Sequence, residues 1–275
     1  MEAKKVLFIT QEIEPYVPES EYTTLGRNVP QLIQEKGREI RTFMPKWGNI
    51  NERRNQLHEV IRLSGMNIII DDTDHPLIIK VASIPAARMQ VYFIDSDDYF
   101  HKRLSVCDDK GVEYKDNATR AIFYARGVLE TVKKLRWTPD VIHCQGWISA
   151  IVPVLIKTAY REEPSFRDCK VVYSVTRPEL TLPLPDRFPQ AVCYRECNEQ
   201  VLEGLGQEAE DLQKLGIKYA DGVAVSTAES VDSLAAFARE SGKPVLEYPG
   251  ENLEAYLPFF DQVWSEGKDA SETEE

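Results

Sequence analysis

The chain opens on a pattern that leaves few folds available to it. An apolar run at residues 5–10 (KVLFIT) is followed by Leu25, Val29, Leu32 and Ile33 on one helical face, then by a second run at residues 39–44. A short, continuous apolar run suits a strand buried on both faces, the environment of a parallel sheet. Gly37 stands where a helix ends on a residue that accepts positive φ. Parallel neighbours need a crossover between them, so the opening reads as a βαβ unit. Pro30 lies inside the helical pattern, and is expected to kink it or to fall within its first turn.

The alternation continues downstream. Residues 66–70, 76–82 and 89–94 read as three strands with polar turns such as Asp71-Asp72, an antiparallel excursion without helices. Residues 116–136 carry the best helical pattern, with Ile122, Ala125, Leu129 and Val132 on one face and Asp116 placed to cap its start. A strand at 139–143, a helix at 147–160 and a strand at 170–175 follow. Pro178, Pro183, Pro185 and Pro189 mark an irregular stretch. A strand at 222–226, a helix holding Val231, Leu234 and Ala238, and a short strand at 245–248 complete the pattern. The fold class is α/β: a doubly wound, mainly parallel, Rossmann-like sheet with a small antiparallel excursion. One domain is expected over residues 1–264. The last stretch, 265–275, with five acids and one Lys, is expected to be a disordered acidic tail. Ligands bind such sheets beyond the carboxyl ends of the strands, which places residues 11–16, 96–99, 144–147 and 176–179 at the crevice.

Charge and composition narrow the function classes. With 33 basic against 45 acidic residues the net charge is −12, which argues against nucleic acid as a partner. The apolar run at 6–10 is too short for a signal peptide. The uncharged stretch at 141–156 falls short of the roughly 20 residues that span a bilayer. A cytoplasmic protein with no membrane partner is expected, its five Cys reduced. Cys193 and Cys197 are four apart, a spacing that can share a metal but that reads first as two free thiols on a helix. Asp95, Asp97 and Asp98 form an acidic cluster after a strand, and no metal is expected there. The first loop, QEIEPYVPESEYTTLGR, has no Gly-x-Gly-x-x-Gly and no phosphate-binding Lys. Its Glu12, Glu14 and Glu19 would repel a phosphate, so no dinucleotide cofactor is expected.

Six blocks carry a family resemblance: KVLFITQEIEPYV, FMPKWGNI, VYFIDSDDYFHKR, YKDNATRAIFYARGVLE, PDVIHCQGW and LQKLGIKYADGVAVS. In this order, from residue 5 to about 230, they resemble bacterial glycogen synthase and plant starch synthase. The resemblance implies the N-terminal half of a B-type, ADP-glucose-dependent glucosyltransferase, the half that carries the glucan acceptor side of the cleft. Against that family the departures are specific. The family's Lys-Thr-Gly-Gly-Leu after the first strand lies against the donor phosphates; on the spacing of Pro15 and Pro30 those positions are Pro18, Glu19, Ser20, Glu21 and Tyr22 here. The change reverses the sign of the loop. The family's His-Ala-His-Asp-Trp-His is His143, Cys144, Gln145, Gly146, Trp147, Ile148, and Gln145 hydrogen-bonds but does not titrate. Its Thr-Ile-His-Asn is Ser174, Val175, Thr176, Arg177. The donor-binding C-terminal domain of the family is expected to be missing.

Candidate cleft residues are therefore Glu12, Tyr16, Asp95, His143, Gln145, Trp147 and Arg177, with Pro18, Glu19, Ser20 and Glu21 as degenerate donor-loop positions. His143 reads first as a satisfied strand-end His and Trp147 as packing. Tyr16 and Tyr22 are candidates to stack on a glucan. Arg120 and Asp116 are expected to brace and cap their helix. The expected function is a non-catalytic or partner-dependent, carbohydrate-related domain, with an α-glucan or other carbohydrate as ligand. Two alternatives stand beside it. One is an active half completed by a protein partner that supplies a donor domain. The other is a repurposed regulatory module that binds a small molecule or a protein.

Overall fold

A computed structural model describes residues 2–194, 196–228 and 232–269. Its strands are β1 (Lys5–Ile9), β2 (Glu39–Pro45), β3 (His58–Glu59), β4 (Met66–Ile70), β5 (Thr73–Ile84), β6 (Met89–Asp95), β7 (Val141–Gln145), β8 (Lys170–Val175), β9 (Gly222–Val225) and β10 (Val245–Leu246). Its helices are α1 (Glu21–Glu35), α2 (Asn117–Leu135), α3 (Val152–Lys157), α4 (Phe188–Cys193), α5 (Asp211–Tyr219), α6 (Asp232–Glu240) and α7 (Tyr256–Asp269). The sheet runs β10-β9-β8-β7-β1-β2-β6-β5-β3, with β4 paired to β5 off this path. From β10 to β6 every pairing is parallel; β5 is antiparallel to β6, and β3 and β4 are antiparallel to β5. The expected α/β sheet with its antiparallel excursion is therefore present. The turn at Asp71-Asp72 has positive φ at both residues, the geometry of a two-residue hairpin.

Strand order reverses between β1 and β7. From β1 the chain winds one way through β2 and β6, then returns to β7 and winds the other way to β10. This is the switch point at which the carboxyl-end loops of neighbouring strands part and leave a crevice.

Each face of the sheet buries its own apolar layer. On one face α2 lays Ile122, Ala125, Leu129 and Val132 into the larger core. On the other, Leu25, Val29 and Ile33 of α1 join a largely aromatic layer from α7. There Tyr256, Phe259, Phe260, Val263 and Trp264 cover Val6, Phe8, Val141 and Val172.

Several local expectations change. Pro30 lies well inside α1, not in its first turn. Strand β7 runs on to Gln145, and the strand expected to reach residue 248 stops at Leu246. The helix expected over 147–160 is instead a 3-10 turn at Trp147–Ser149 followed by the short α3. Pro153 has no N–H to donate to Ser149, and it falls in the first turn of α3, where that missing donor is harmless. Asp116 sits at the start of α2 without capping it; its carboxylate accepts from Arg103 Nη1 at 2.8 Å. Pro189, grouped with the irregular stretch, lies in the first turn of α4, where a missing N–H is harmless. Cys193 and Cys197 are joined in a disulfide, so the five Cys are not all reduced. Cys197 also lies beyond the end of α4, so the pair does not share one helix. Residues 265–269 of the acidic tail belong to α7; residues 270–275 and Val231 lie outside the described residues. Among the described residues, no helix is long and apolar enough to cross a membrane.

Candidate functional site

The crevice forms where the loop after β1 meets the loops after β7 and β8. Thr10 Oγ1 donates to Gln145 Oε1 at 2.7 Å, and Gln11 Nε2 donates to Glu179 Oε2 at 2.6 Å. Below them Trp47 Nε1 donates to the Gln11 carbonyl at 2.9 Å and Tyr124 Oη to the Thr10 carbonyl at 2.9 Å. Two glycines permit this approach. A Cβ on Gly146, whose φ is +84°, would collide with the Gln11 side chain. A Cβ on Gly26 of α1 would collide with the Glu12 carbonyl oxygen. Any larger residue would force the loop after β1 away from α1 or β7.

A pocket of about 450 Å³ opens here, walled by residues 104–108 on one side and by Arg177, Pro178 and Glu179 on the other. The 104–108 wall is held by a side chain from α2. Arg120 is fully buried; its Nε donates to the Tyr99 carbonyl at 3.0 Å, Nη1 to the Ser105 carbonyl at 2.6 Å and Nη2 to the Leu104 carbonyl at 2.7 Å. Its guanidinium lies 5.1 Å from the Trp47 ring and 5.0 Å from the Tyr114 ring. Burial, reinforced by Arg103, lowers its pKa to about 9, which still leaves it charged at neutral pH. Its Nη1 also donates to Asn117 Oδ1 at 2.7 Å, so Arg120 braces both the first residue of its helix and the loop before it.

The electrostatics of the crevice are acidic and protonatable. Burial pushes the Glu12 carboxyl up to about 7, helped by the nearby Glu179 and opposed by a hydrogen bond with Ser105. Burial also raises Glu179, against the Gln11 hydrogen bond and Arg177. Tyr22 accepts from the Arg177 backbone N–H at 3.0 Å and so ties α1 to the loop after β8. Pro18, Glu19, Ser20 and Glu21 are exposed and lead into α1. Ser20 is its N-cap: Thr23 N–H donates to Ser20 Oγ at 3.2 Å and Ser20 N–H to Thr23 Oγ1 at 2.8 Å. With this reciprocal cap and Glu21 in the first turn, the helix end is satisfied from within and complemented by its own acid.

The remaining candidates lie elsewhere. Tyr16 packs edge-on against Phe93 with ring centroids 4.9 Å apart, in the core and away from solvent. Asp95 is buried and bound to Lys80 Nζ at 2.8 Å, part of an ion-pair chain that continues to Glu52 and Lys46. His143 faces α7, with Nε2 at 2.6 Å from Ser174 Oγ and its ring among Phe8, Tyr256 and Phe260. Burial drops its pKa to about 3, so it stays neutral at physiological pH. Trp147 is buried beside Trp47 and offers no open face to a sugar. Gln145 is buried, and of the candidate cleft residues Arg177 lines the pocket while Glu12 lies beside it, against its Ser105 wall. The 104–108 wall carried no sequence signal: its position depends on Arg120, which follows it in the chain. Among the described residues, no group of three or more His, Cys, Asp or Glu is placed to hold a metal ion.

The raised Glu12 pKa gives stability a pH dependence. Below pH 4.5 the carboxyl is protonated in both the folded and the unfolded chain. Between about 4.5 and 7 the unfolded chain ionises it first, so stability falls as pH rises. Glu12→Gln is therefore expected to stabilise the protein at pH 8, by on the order of 2 kcal/mol, and to change little at pH 4. Urea unfolding at both pH values checks this; equal effects at the two would contradict it.

Comparison with known proteins agrees with this architecture. The family described as starch synthase catalytic domain matches residues 5–229. The glycogen synthase of Chlorobium phaeobacteroides is 32% identical over 273 residues, covering 96% of this chain and 55% of that protein. The glycogen synthase of Chlorobaculum parvum is 35% identical over 221 residues, covering 79% of this chain and 44% of that protein. The chain thus spans about half the length of these relatives. Among solved structures, the catalytic domain of starch synthase IV from Arabidopsis thaliana, bound to ADP and acarbose, superposes with a TM-score of 0.70 over 90% of this chain and 51% of that one, at 16% identity, a likeness of fold. Six motif blocks in order, a sheet of matching architecture and a family match over most of its length establish that this chain belongs to the glycogen and starch synthase family.

Proposed function

We infer that this domain binds an α-glucan end in the crevice between the 104–108 loop and Glu179, and that it does not by itself transfer glucose from a nucleotide sugar. The observation that carries this reading is the pair of half-buried carboxyls, Glu12 and Glu179, whose proton affinity partial burial raises. Such groups accept hydrogen bonds from sugar hydroxyls and, when protonated, donate to them. A diphosphate offers only acceptors and negative charge. The acid-bearing, self-capped start of α1 points the same way, because glycosyl transfer needs positive or donating groups on the leaving diphosphate as charge develops.

A second reading, a transferase site completed by a donor-binding domain, draws on the greater length of the relatives. Calorimetric titration tests the glucan claim and the donor claim of the first reading. Maltoheptaose is expected to bind saturably and ADP-glucose more weakly than millimolar. A flat maltoheptaose trace would sink the glucan reading and favour a repurposed module. Micromolar ADP-glucose binding would sink the claim about the donor.

A further inference from the structure

The two walls of the crevice are joined in more than one place. At its floor the loop after β1 reaches both. Glu12 hydrogen-bonds with Ser105 in one wall, and Gln11 Nε2 donates to Glu179 Oε2 in the other at 2.6 Å. A further link comes from a residue outside the pocket lining. Glu113 Oε2 accepts from Thr181 N–H at 2.8 Å and from Thr181 Oγ1 at 2.6 Å, and Leu182 N–H lies 3.3 Å from both carboxylate oxygens.

A small hairpin places Glu113 there. Asp108 N–H donates to the Val112 carbonyl at 2.9 Å and Tyr114 N–H to the Val106 carbonyl at 3.1 Å, which sets Cys107 opposite Glu113 in an antiparallel bridge. Asp108 Oδ1 accepts from the Lys110 and Val112 N–H groups at 2.9 Å, and Gly111 supplies a φ of +78°, so the turn is encoded locally. Directly opposite residues share a face of a ladder, so Glu113 lies on the same side as Cys107, which lines the pocket. The base of the hairpin is fixed to α2: Arg120 holds the Leu104 and Ser105 carbonyls, and Asn117 Nδ2 donates to the Val106 carbonyl at 3.0 Å. Across the crevice, Leu180 and Leu184 are buried and anchor the exposed Thr181, Leu182 and Pro183 between them.

The contacts therefore run in a circuit, from Ser105 to Glu12, from Gln11 to Glu179, from Thr181 to Glu113, and across the hairpin to Cys107. A change at the floor would alter the acidic site itself, whereas Glu113 joins the walls from outside it. We propose that Glu113 is a positioning residue of the crevice, a latch that holds the 104–108 and 177–179 walls at the separation a ligand needs. The identity of that ligand rests on the glucan reading above; the latch does not. A carboxylate is a stronger acceptor than an amide oxygen of the same reach, so glutamine should keep part of the link and alanine none.

Cys107 reports on the latch without any ligand. Cys144 and Cys169 are buried and Cys193 is paired with Cys197, so N-ethylmaleimide should alkylate Cys107 first in the native protein, in a phase that Cys107→Ser removes. Glu113→Ala should raise that rate several-fold and weaken maltoheptaose binding about tenfold by calorimetric titration. Glu113→Gln should fall between wild type and Glu113→Ala in both measurements, and it carries the comparison if the alanine variant melts early. An alkylation rate equal to wild type in both variants overturns the latch, whatever the titration shows. A raised rate with unchanged maltoheptaose affinity overturns the positioning role. A raised rate in Glu113→Ala, with no maltoheptaose binding even in the wild type, supports the latch and overturns the glucan reading.

Discussion

Arg120→Ala is expected to destabilise the protein by about 3–5 kcal/mol and to abolish glucan binding in the crevice. Arg120 has no exposed surface and donates to three carbonyls of one loop, those of Tyr99, Leu104 and Ser105. Removing it leaves these acceptors buried without donors, at about 1–3 kcal/mol for each that water cannot reach. It also removes the planar group that packs against Trp47 and Tyr114. Relief of the buried charge offsets part of this, which keeps the total below the simple sum. Because the same loop supplies residues 104–108 of the crevice wall, stability and binding should fall together. Arg120→Lys should recover little, since one ammonium on a flexible stem does not reproduce a planar fork aimed at several carbonyls. Chemical denaturation and a maltoheptaose titration measure the two effects. A loss under about 1 kcal/mol, or full stability recovered by lysine, would show that the loop stands without the fork.

The second large effect is expected at Phe260. It is fully buried on α7, with its ring 5.5 Å from His143, 5.8 Å from Tyr256 and 6.3 Å from Phe8. Phe260→Ala opens a cavity between α7 and the sheet, and should cost about 3–5 kcal/mol. The substitution also carries a pH signature through His143, whose pKa burial lowers to about 3. In the wild type the unfolded chain takes up this proton below about pH 6.5 while the folded chain refuses it, so stability is lost as pH falls. Water admitted beside the imidazole would raise its folded pKa and soften that loss. The penalty of Phe260→Ala should therefore be smaller at pH 5 than at pH 8. A penalty independent of pH would mean that the cavity stays dry or that His143 is still shielded.

Much of the architecture was readable residue by residue. The βαβ opening, the Asp71-Asp72 turn and the strand at 170–175 each rest on apolar spacing or turn chemistry within a few residues. The family resemblance was equally local, carried by short blocks in order, and the family match over residues 5–229 agrees with it. The helix expected at 147–160 failed because most of that segment is buried, so its apolar content has no period to read. Asp116 had the right residue type for a cap, but Arg103 takes its carboxylate. His143 and Trp147 were in the right motif, yet the strand's alternation and the turn after it send both into the interior.

The order of strands and helices, the α/β class and the family were all encoded locally, because periodicity, turn residues and short motifs act over a few neighbouring positions. Which candidates meet solvent followed from the assembled fold. Gln11 and Glu179 are 168 residues apart, and they touch because β1 and β8 flank β7 at the reversal of strand order. Burial and partner charge, which set the proton affinity of Glu12 and the silence of His143, come from elements distant along the chain, and no local pattern encodes them.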